Sequence, residues 1–265
     1  YVNLDANGMI DYNHLEKLLN DTSSKTLVSL MHVNNEIGNR IDIKQVADLC
    51  KKNNTLFHSD TVQSVGHYNL NLSEIPIDFA TVAAHKFHGP KGVGFAFIRK
   101  NSGLKPLIVG GQQERGLRAG TESVYAIAGL NKALQISYNN LDEESKYIKS
   151  IKNYFKDRLL QEIPNSKLNG YCGDDSLSTY TLLNVLLPIS PEIGAMLLFQ
   201  LDLKGIACSK GSACQSGSIR GSHVLAEILS EEDMKKPSLR FSFSTFNTKE
   251  EVDYVIETLK NIIQP

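Results

Sequence analysis

Strand-like and helix-like stretches alternate through the first half of the chain in the order a parallel sheet requires. Leu27 to Val33 reads as a buried strand, Ile43 to Asn53 as an amphipathic helix and Thr55 to Ser59 as a short strand. Phe79 to Ala83 and Val93 to Ile98 read as further strands. This is the rhythm of βαβ units, a mostly parallel sheet covered by helices. Ligands of such sheets bind beyond the carboxyl ends of the strands, where Asn34-Asn35, Asp60 and His85-Lys86 fall. After Thr121 a helical pattern runs to about Leu134, and a longer polar helix, Leu141 to Glu162, carries apolar residues at Ile148, Ile151, Phe155 and Leu159. Pro164 and the Asn169-Gly170 turn end it. Strand Thr181 to Leu187, helix Glu192 to Leu201, strand Ser238 to Ser242 and a terminal helix Lys249 to Ile263 follow. The fold class is α/β, with a domain boundary in the long helical region that separates residues 1–140 from 141–265.

A chain of 265 residues can bury a large core in one large or two smaller domains. Its net charge of −1 argues against a global basic field for nucleic acid. No apolar run approaches the ~18 residues that span a bilayer. The four cysteines lack CxxC spacing and no signal peptide is visible, which points to free thiols in a reducing cytoplasm. Cys50 reads as a small core residue of its helix, and Cys172 in its Gly/Asp loop receives no role. The chain opens at Tyr1 without an initiator methionine and is read as a fragment.

Lys86 enters the Gly/Pro-rich turn His85-Lys86-Phe87-His88-Gly89-Pro90-Lys91-Gly92 directly after a strand. Lysine amines form Schiff bases with carbonyl cofactors, pyridoxal phosphate above all, and that cofactor needs a carboxylate on its ring nitrogen. Asp60 supplies a carboxylate at another strand end, although it also suits a helix N-cap ahead of Thr61-Val62-Gln63-Ser64. Gln63 would share a face with it. Asn34-Asn35 is either a turn or a buried amide facing a cofactor. His85, beside the lysine, is a better functional candidate than His88.

Gly110 to Thr121, with Arg115 and Arg118, is either a surface loop or an anion-binding helix entry. Ala207-Cys208-Ser209-Lys210-Gly211-Ser212-Ala213-Cys214 sets two thiols among small residues, the setting of a reactive Cys214, with Cys208 at a strand end and structural. Metal ligation from two cysteines so spaced is a weak rival. Arg240 interrupts an apolar strand and needs an anionic partner, a protein carboxylate or a substrate's.

Five segments together resemble the cysteine desulfurases, class-V aminotransferase-like pyridoxal phosphate enzymes, in the branch serving iron–sulfur cluster assembly. They are His32-Val33-Asn34-Asn35-Glu36-Ile37-Gly38, His58-Ser59-Asp60-Thr61-Val62-Gln63, Ala84 to Gly92, Glu114 to Thr121 and Gly211-Ser212-Ala213-Cys214, in matching order along essentially the whole chain. The resemblance implies the type I fold of pyridoxal-phosphate transferases, with residues 1–140 as the remaining part of the cofactor-binding large domain and 141–265 as the small domain carrying the cysteine loop. It implies pyridoxal 5'-phosphate on Lys86, which later moves protons, with Asp60 on the ring nitrogen, Gln63 on the phenolic oxygen and Asn35 beside ring and substrate. It implies His85 near the phosphate, Thr121 reaching the phosphate of a neighbouring subunit's cofactor in a homodimer, and Arg240 on the carboxylate of L-cysteine. Cys214 would take the substrate sulfur as a persulfide and pass it to a sulfur-acceptor or iron–sulfur scaffold protein; the destination is cluster assembly or tRNA thiolation. Cys214 could also transiently ligate a cluster; no resident metal is implied.

Three features depart from the family. Ala83 replaces a usual serine, Ser244-Thr245 replaces a usual Gly-Arg pair, and the family's N-terminal third has no counterpart. The chain is expected to be a C-terminal portion of such an enzyme. The rival readings are an inactive acceptor-binding module and a selenocysteine lyase of the same family. A further hypothesis pairs Cys208 with Cys214 in a regulatory disulfide.

Overall fold

The computed structural model describes residues 1–20, 24–211 and 221–263. The chain forms two compact units that interleave in sequence: Tyr12–His32 with Asp42–Leu141, and Tyr1–Asp11 with Val33–Ile41 and Asp142–Pro265.

The first unit holds α1 (Tyr12–Asn20), β1 (Leu27–Met31), α2 (Ile43–Lys52), β2 (Leu56–Asp60), β3 (Phe79–Ala83), β4 (Gly94–Ile98) and α3 (Val124–Asn139). The Asp42 carboxylate accepts the Gln45 N–H at 2.9 Å and starts α2. Ile43, Val46, Ala47 and Cys50 then fall at helical spacing on its buried face. Cys50 is the core residue expected, and burial pushes its thiol up to about 12. The sheet runs β1-β2-β3-β4, with β1–β2 and β2–β3 parallel, as the alternating pattern predicts.

Two features differ from that reading. Strand β4 is antiparallel to β3, because the chain returns through a turn rather than the crossover a parallel neighbour needs. Gly94 permits this return, since a Cβ there would sit 2.1 Å from Val82 O. Strand β1 is also not buried throughout: Val28 is, but Leu27 and Met31 are exposed. It is the sheet's edge strand, and alternate residues of β1 face a side of the sheet that the described chain leaves open.

The second unit holds α4 (Leu141–Glu162), β5 (Lys167–Leu168), β6 (Leu182–Leu186), α5 (Pro191–Leu203), α6 (His223–Ala226), β7 (Ser238–Ser242) and α7 (Lys249–Ile263). Its sheet runs β5-β6-β7, antiparallel throughout. Every residue of β6 is buried. The inner face of α4 carries Ile148, Ile151, Phe155 and Leu159, and the Phe155 ring lies 4.7 Å from Phe241 and 5.6 Å from Phe243. Arg158 ties α4 to α7 through Asp253 and pairs with Glu162 one turn on. Lys260 reaches Glu162 at 2.9 Å. The two cations hold the Glu162 carboxyl at about 2, Arg158 contributing most. Among the described residues no helix is long and apolar enough to cross a membrane.

Packing, not this ion cluster, should dominate the stability of the second unit. Leu159→Ala removes a fully buried side chain and should cost ~2–5 kcal/mol. Arg158→Ala should cost about 1 kcal/mol, since partly exposed ion pairs are worth little. Urea unfolding of both variants checks the ranking; a larger loss for Arg158→Ala would reverse it.

Candidate functional site

Seven of the eight candidate residues lie within the described chain and fall into two groups, one in each unit. Cys214 lies outside the described residues.

In the first unit, parallel pairing sets Met31 beside Asp60 and Asp60 beside Thr81. The carboxyl ends of β1, β2 and β3 therefore share one edge, and Asp60 and Lys86 both belong to it. Asp60 is half-buried and its Oδ1 accepts the Val62 N–H at 2.9 Å. This is a short turn at the strand end rather than the cap of a regular helix, since no helix follows before β3. Gln63 lies in that turn, half-buried. After Ala83 the chain makes one 3-10 turn, Ala84–Phe87, closed by His88 in the left-handed conformation (φ 65°).

That turn alternates in exposure. Ala84 and Phe87 enter a core cluster with Val65, Val82 and Leu130, while His85 and Lys86 stay exposed. The His67 imidazole donates from Nε2 to the Lys86 carbonyl at 3.0 Å. Gly66, at φ +83°, lets Phe87 approach, as a Cβ there would meet the Phe87 Cβ at 2.6 Å. The lysine is thus an accessible amine on a backbone pinned from both sides.

Thr121 is exposed in the segment that leads into α3. In the preceding loop, Arg118 pairs with Glu122 at 2.8 Å and Glu114 at 3.4 Å and donates to Gly120 O at 2.9 Å. Its charge therefore works within the loop. Glu114 and Arg115 both take positive φ, 47° and 58°, a backbone strain that clusters at functional sites in general.

In the second unit, Arg240 on β7 donates from Nη1 to the Asn35 carbonyl at 2.8 Å. The two candidates meet, though through the backbone of Asn35 and not its amide. Arg240 also exchanges two backbone bonds with Ser209, at 2.7 and 3.2 Å, so the segment approaching Cys214 leaves from beside Arg240. Cys208 is half-buried there and its thiol is pushed up to about 11 by burial, which suits the structural role expected of it.

The Asn35 turn rests on its neighbour Asn34, the turn former expected of that pair, and on buried residues to which no site role was given. The Asn34 Oδ1 accepts the N–H groups of Glu36 and Ile37 at 2.8 and 3.0 Å. The fully buried Asn184 donates to Glu36 O at 2.8 Å and accepts from Asn169 through its Oδ1, also at 2.8 Å. Buried Glu36 accepts from the Ser222 hydroxyl at 2.5 Å. Cys172, given no role, is fully buried and donates to Asn184 O at 3.3 Å. An Asn inside a continuous apolar strand, as in Leu182-Leu183-Asn184-Val185-Leu186, was the signal available, because a buried amide must be bonded.

The donor set at the first unit's sheet edge fits pyridoxal phosphate: an accessible primary amine, a half-buried carboxylate with fixed orientation, an amide and an imidazole. The methyl of Ala83 adds no hydroxyl to it.

A sequence profile of the family Aminotransferase class-V matches residues 1–255. The protein named Cysteine desulfurase IscS from Dictyoglomus turgidum is 37% identical over the whole chain, which spans 65% of that relative. The NifS-like protein of Rickettsia africae superposes with a TM-score of 0.86 at 31% identity over 98% of this chain and 68% of that one. The protein titled SspA in complex with cysteine gives 0.75 at 28% identity, over 94% of this chain and 67% of the other. The chain thus spans about two-thirds of the length of the curated relatives it matches.

The lysine turn depends on Gly66. Gly66→Ala should destabilise the first unit by ~1–3 kcal/mol through overpacking against Phe87, added to the strain of its positive φ. Gly92→Ala, also at positive φ but facing open space, should cost about 1 kcal/mol. Equal losses in urea unfolding would mean that Phe87 yields and does not pin the turn.

Proposed function

The chain belongs to the class-V aminotransferase family, and from that premise we propose that it carries the lysine and cysteine chemistry of a pyridoxal-phosphate cysteine desulfurase. The observation that carries the reading is Lys86, an exposed amine one turn beyond β3, on the same carboxyl edge of a parallel sheet as the Asp60 carboxylate. The matching relatives named cysteine desulfurase support it, as does a structural relative solved with cysteine.

Pyridoxal phosphate bound at Lys86 supplies an electron sink for the carbon atoms of an amino acid. Lys86 holds the cofactor and moves the proton at the substrate's α-carbon. Asp60 keeps a proton on the ring nitrogen, Gln63 donates to the phenolic oxygen, and His85 binds near the phosphate. Arg240 holds the substrate carboxylate, with Asn35 beside it. Cys214 takes the sulfur: the Cβ–S bond of L-cysteine breaks and an S–S bond forms. L-cysteine plus a thiol becomes L-alanine plus a persulfide, with no outside oxidant. The persulfide then passes to an acceptor thiol on a sulfur-carrier or iron–sulfur scaffold protein. In this reading residues 1–140 are the remaining part of the cofactor-binding domain, and residues 141–265 form the smaller domain.

A homodimer completes the proposal. Leu107, Val109 and Tyr125 flank Thr121 in sequence and are 94%, 78% and 85% exposed, an apolar stretch a second copy would cover, bringing Thr121 to the neighbouring cofactor's phosphate. Leu107→Glu with Tyr125→Glu should convert dimers to monomers in sedimentation; an unchanged mass would remove this surface from the interface.

The functional test combines borohydride fixation with product assay. The unaltered chain should carry a reduced phosphopyridoxyl group on the Lys86 peptide and turn L-cysteine into L-alanine. Lys86→Ala should lose both. Cys214→Ala should keep the modified Lys86 and form no persulfide. Sulfide release at the unaltered rate from Cys214→Ala would reject Cys214 as the sulfur acceptor.

A further inference from the structure

Lys152 takes no part in the chemistry proposed above, yet it is one of the largest fully buried side chains, on the inner face of α4 beside Ile151 and Phe155. A buried ammonium is tolerated only where its donors are used. Its Nζ donates to Thr179 O at 2.7 Å and to Ser178 Oγ at 3.2 Å. The Ser178 hydroxyl passes the bond on to Asp174 O at 2.7 Å. The ammonium therefore fastens residues 174–179 down onto α4.

That strap is in turn the support of the Asn35 turn. Thr179 N donates to Gly38 O at 2.8 Å, and Arg40 N to Leu177 O at 2.8 Å. Arg40 Nη2 reaches Ser176 O at 2.9 Å, and Asn39 bridges Ser178. Residues 34 to 39 close on themselves through Asn34 N to Asn39 O and Gly38 N to Asn34 O, 2.8 and 3.0 Å. The carbonyl of Asn35, in that closed turn, receives the Arg240 guanidinium. An unbroken series of short bonds thus runs from Lys152 to the residue assigned to the substrate carboxylate.

We propose that Lys152 is a positioning residue for the substrate site, its ammonium clamping the 174–179 strap and through it the turn against which Arg240 is set. What Arg240 binds rests on the function proposed above; the clamp itself does not.

The charge state of the clamp is open to test because burial pushes Lys152 down to about 8. The groups facing it are Cys172, Asp174 and Asp175 from the strap side and Lys149 and Lys156 from α4 itself. The folded chain releases this proton near pH 8, the unfolded chain in the ordinary lysine range. Between the two the unfolded state binds more protons, so discharge of Lys152 raises global stability with pH. The same discharge weakens the charge-assisted bonds to the strap. Local loosening and global stabilisation therefore run in opposite directions, which a merely structural lysine with no hold on the turn would not produce.

Hydrogen exchange read by mass spectrometry on the peptide covering residues 33–41 tests this, with a peptide from β3 as control. Lys152→Met should speed exchange of 33–41 by about tenfold, the scale of one lost charged hydrogen bond, and leave the control unchanged. Taking the unaltered chain from pH 7 to pH 9 should do the same after correction for intrinsic exchange, and the variant should show no such step. Unchanged exchange in 33–41, or equal acceleration of both peptides, overturns the clamp. If Lys152→Met does not fold, the pH step in the unaltered chain decides alone. On the same samples, KM for L-cysteine should rise about tenfold in the variant with kcat held within about twofold, the mark of lost ground-state positioning. An unaltered chain that does not turn over L-cysteine would defeat the functional reading while exchange still decides the clamp.

Discussion

Parallel pairing between β1, β2 and β3 is the constraint on which the candidate chemistry depends. Parallel strands point their carboxyl ends the same way, so whatever follows each strand emerges on one edge. The register sets Asp60 next to Thr81, a few residues from the turn that carries Lys86. Turning β3 around would send the lysine to the opposite edge from the carboxylate. The antiparallel β4 shows the consequence within the same sheet: it returns from the edge and brings no candidate residue to it.

The lysine turn converts that topology into an accessible amine. Its two apolar residues, Ala84 and Phe87, are sealed into the core cluster under the strand ends, which leaves His85 and Lys86 outside. Gly66 admits the phenyl ring from below, and His67 fixes the lysine's carbonyl. The side chain is therefore free to react while its backbone is not free to wander, the combination a covalent cofactor anchor needs.

The second unit solves a different problem. It buries Lys152, Asn169, Asn184 and Glu36, polar groups that would each destabilise a core if left unbonded. Asn169 donates to the Asn184 side chain, Asn184 to Glu36 O, Ser222 to the Glu36 carboxylate and Lys152 to Thr179 O, and these bonds offset the cost of burying them. The turn that receives Arg240 is held by this polar network as well as by the buried Ile37 side chain, and it therefore answers to charge and protonation as well as to shape.

Much of the fold was legible in the chain itself. Helices α4 and α7 and strands β3 and β7 end where periodicity and turn residues say they should, because those local signals are strong there. Lys86, Asp60 and Arg240 stand out as candidates in the sequence because a charged residue at or within an apolar strand needs a reason. The elements β5 and α6 were not legible, being too brief for a period to register, while α1 carries a period in Leu15 and Leu19 that went unread. Lys152 was invisible for another reason: on a polar helix a lysine is ordinarily solvent-exposed, and only the arrival of Thr179 and Ser178 from a distant part of the chain makes a buried site for it. The sequence by itself determined the chemical inventory and the alternation that yields a mostly parallel sheet, since both follow from residue type and local spacing. Only the tertiary structure decided the direction of β4, the meeting of Arg240 with Asn35 and the clamp at Lys152, because each depends on contacts between segments that no local spacing encodes.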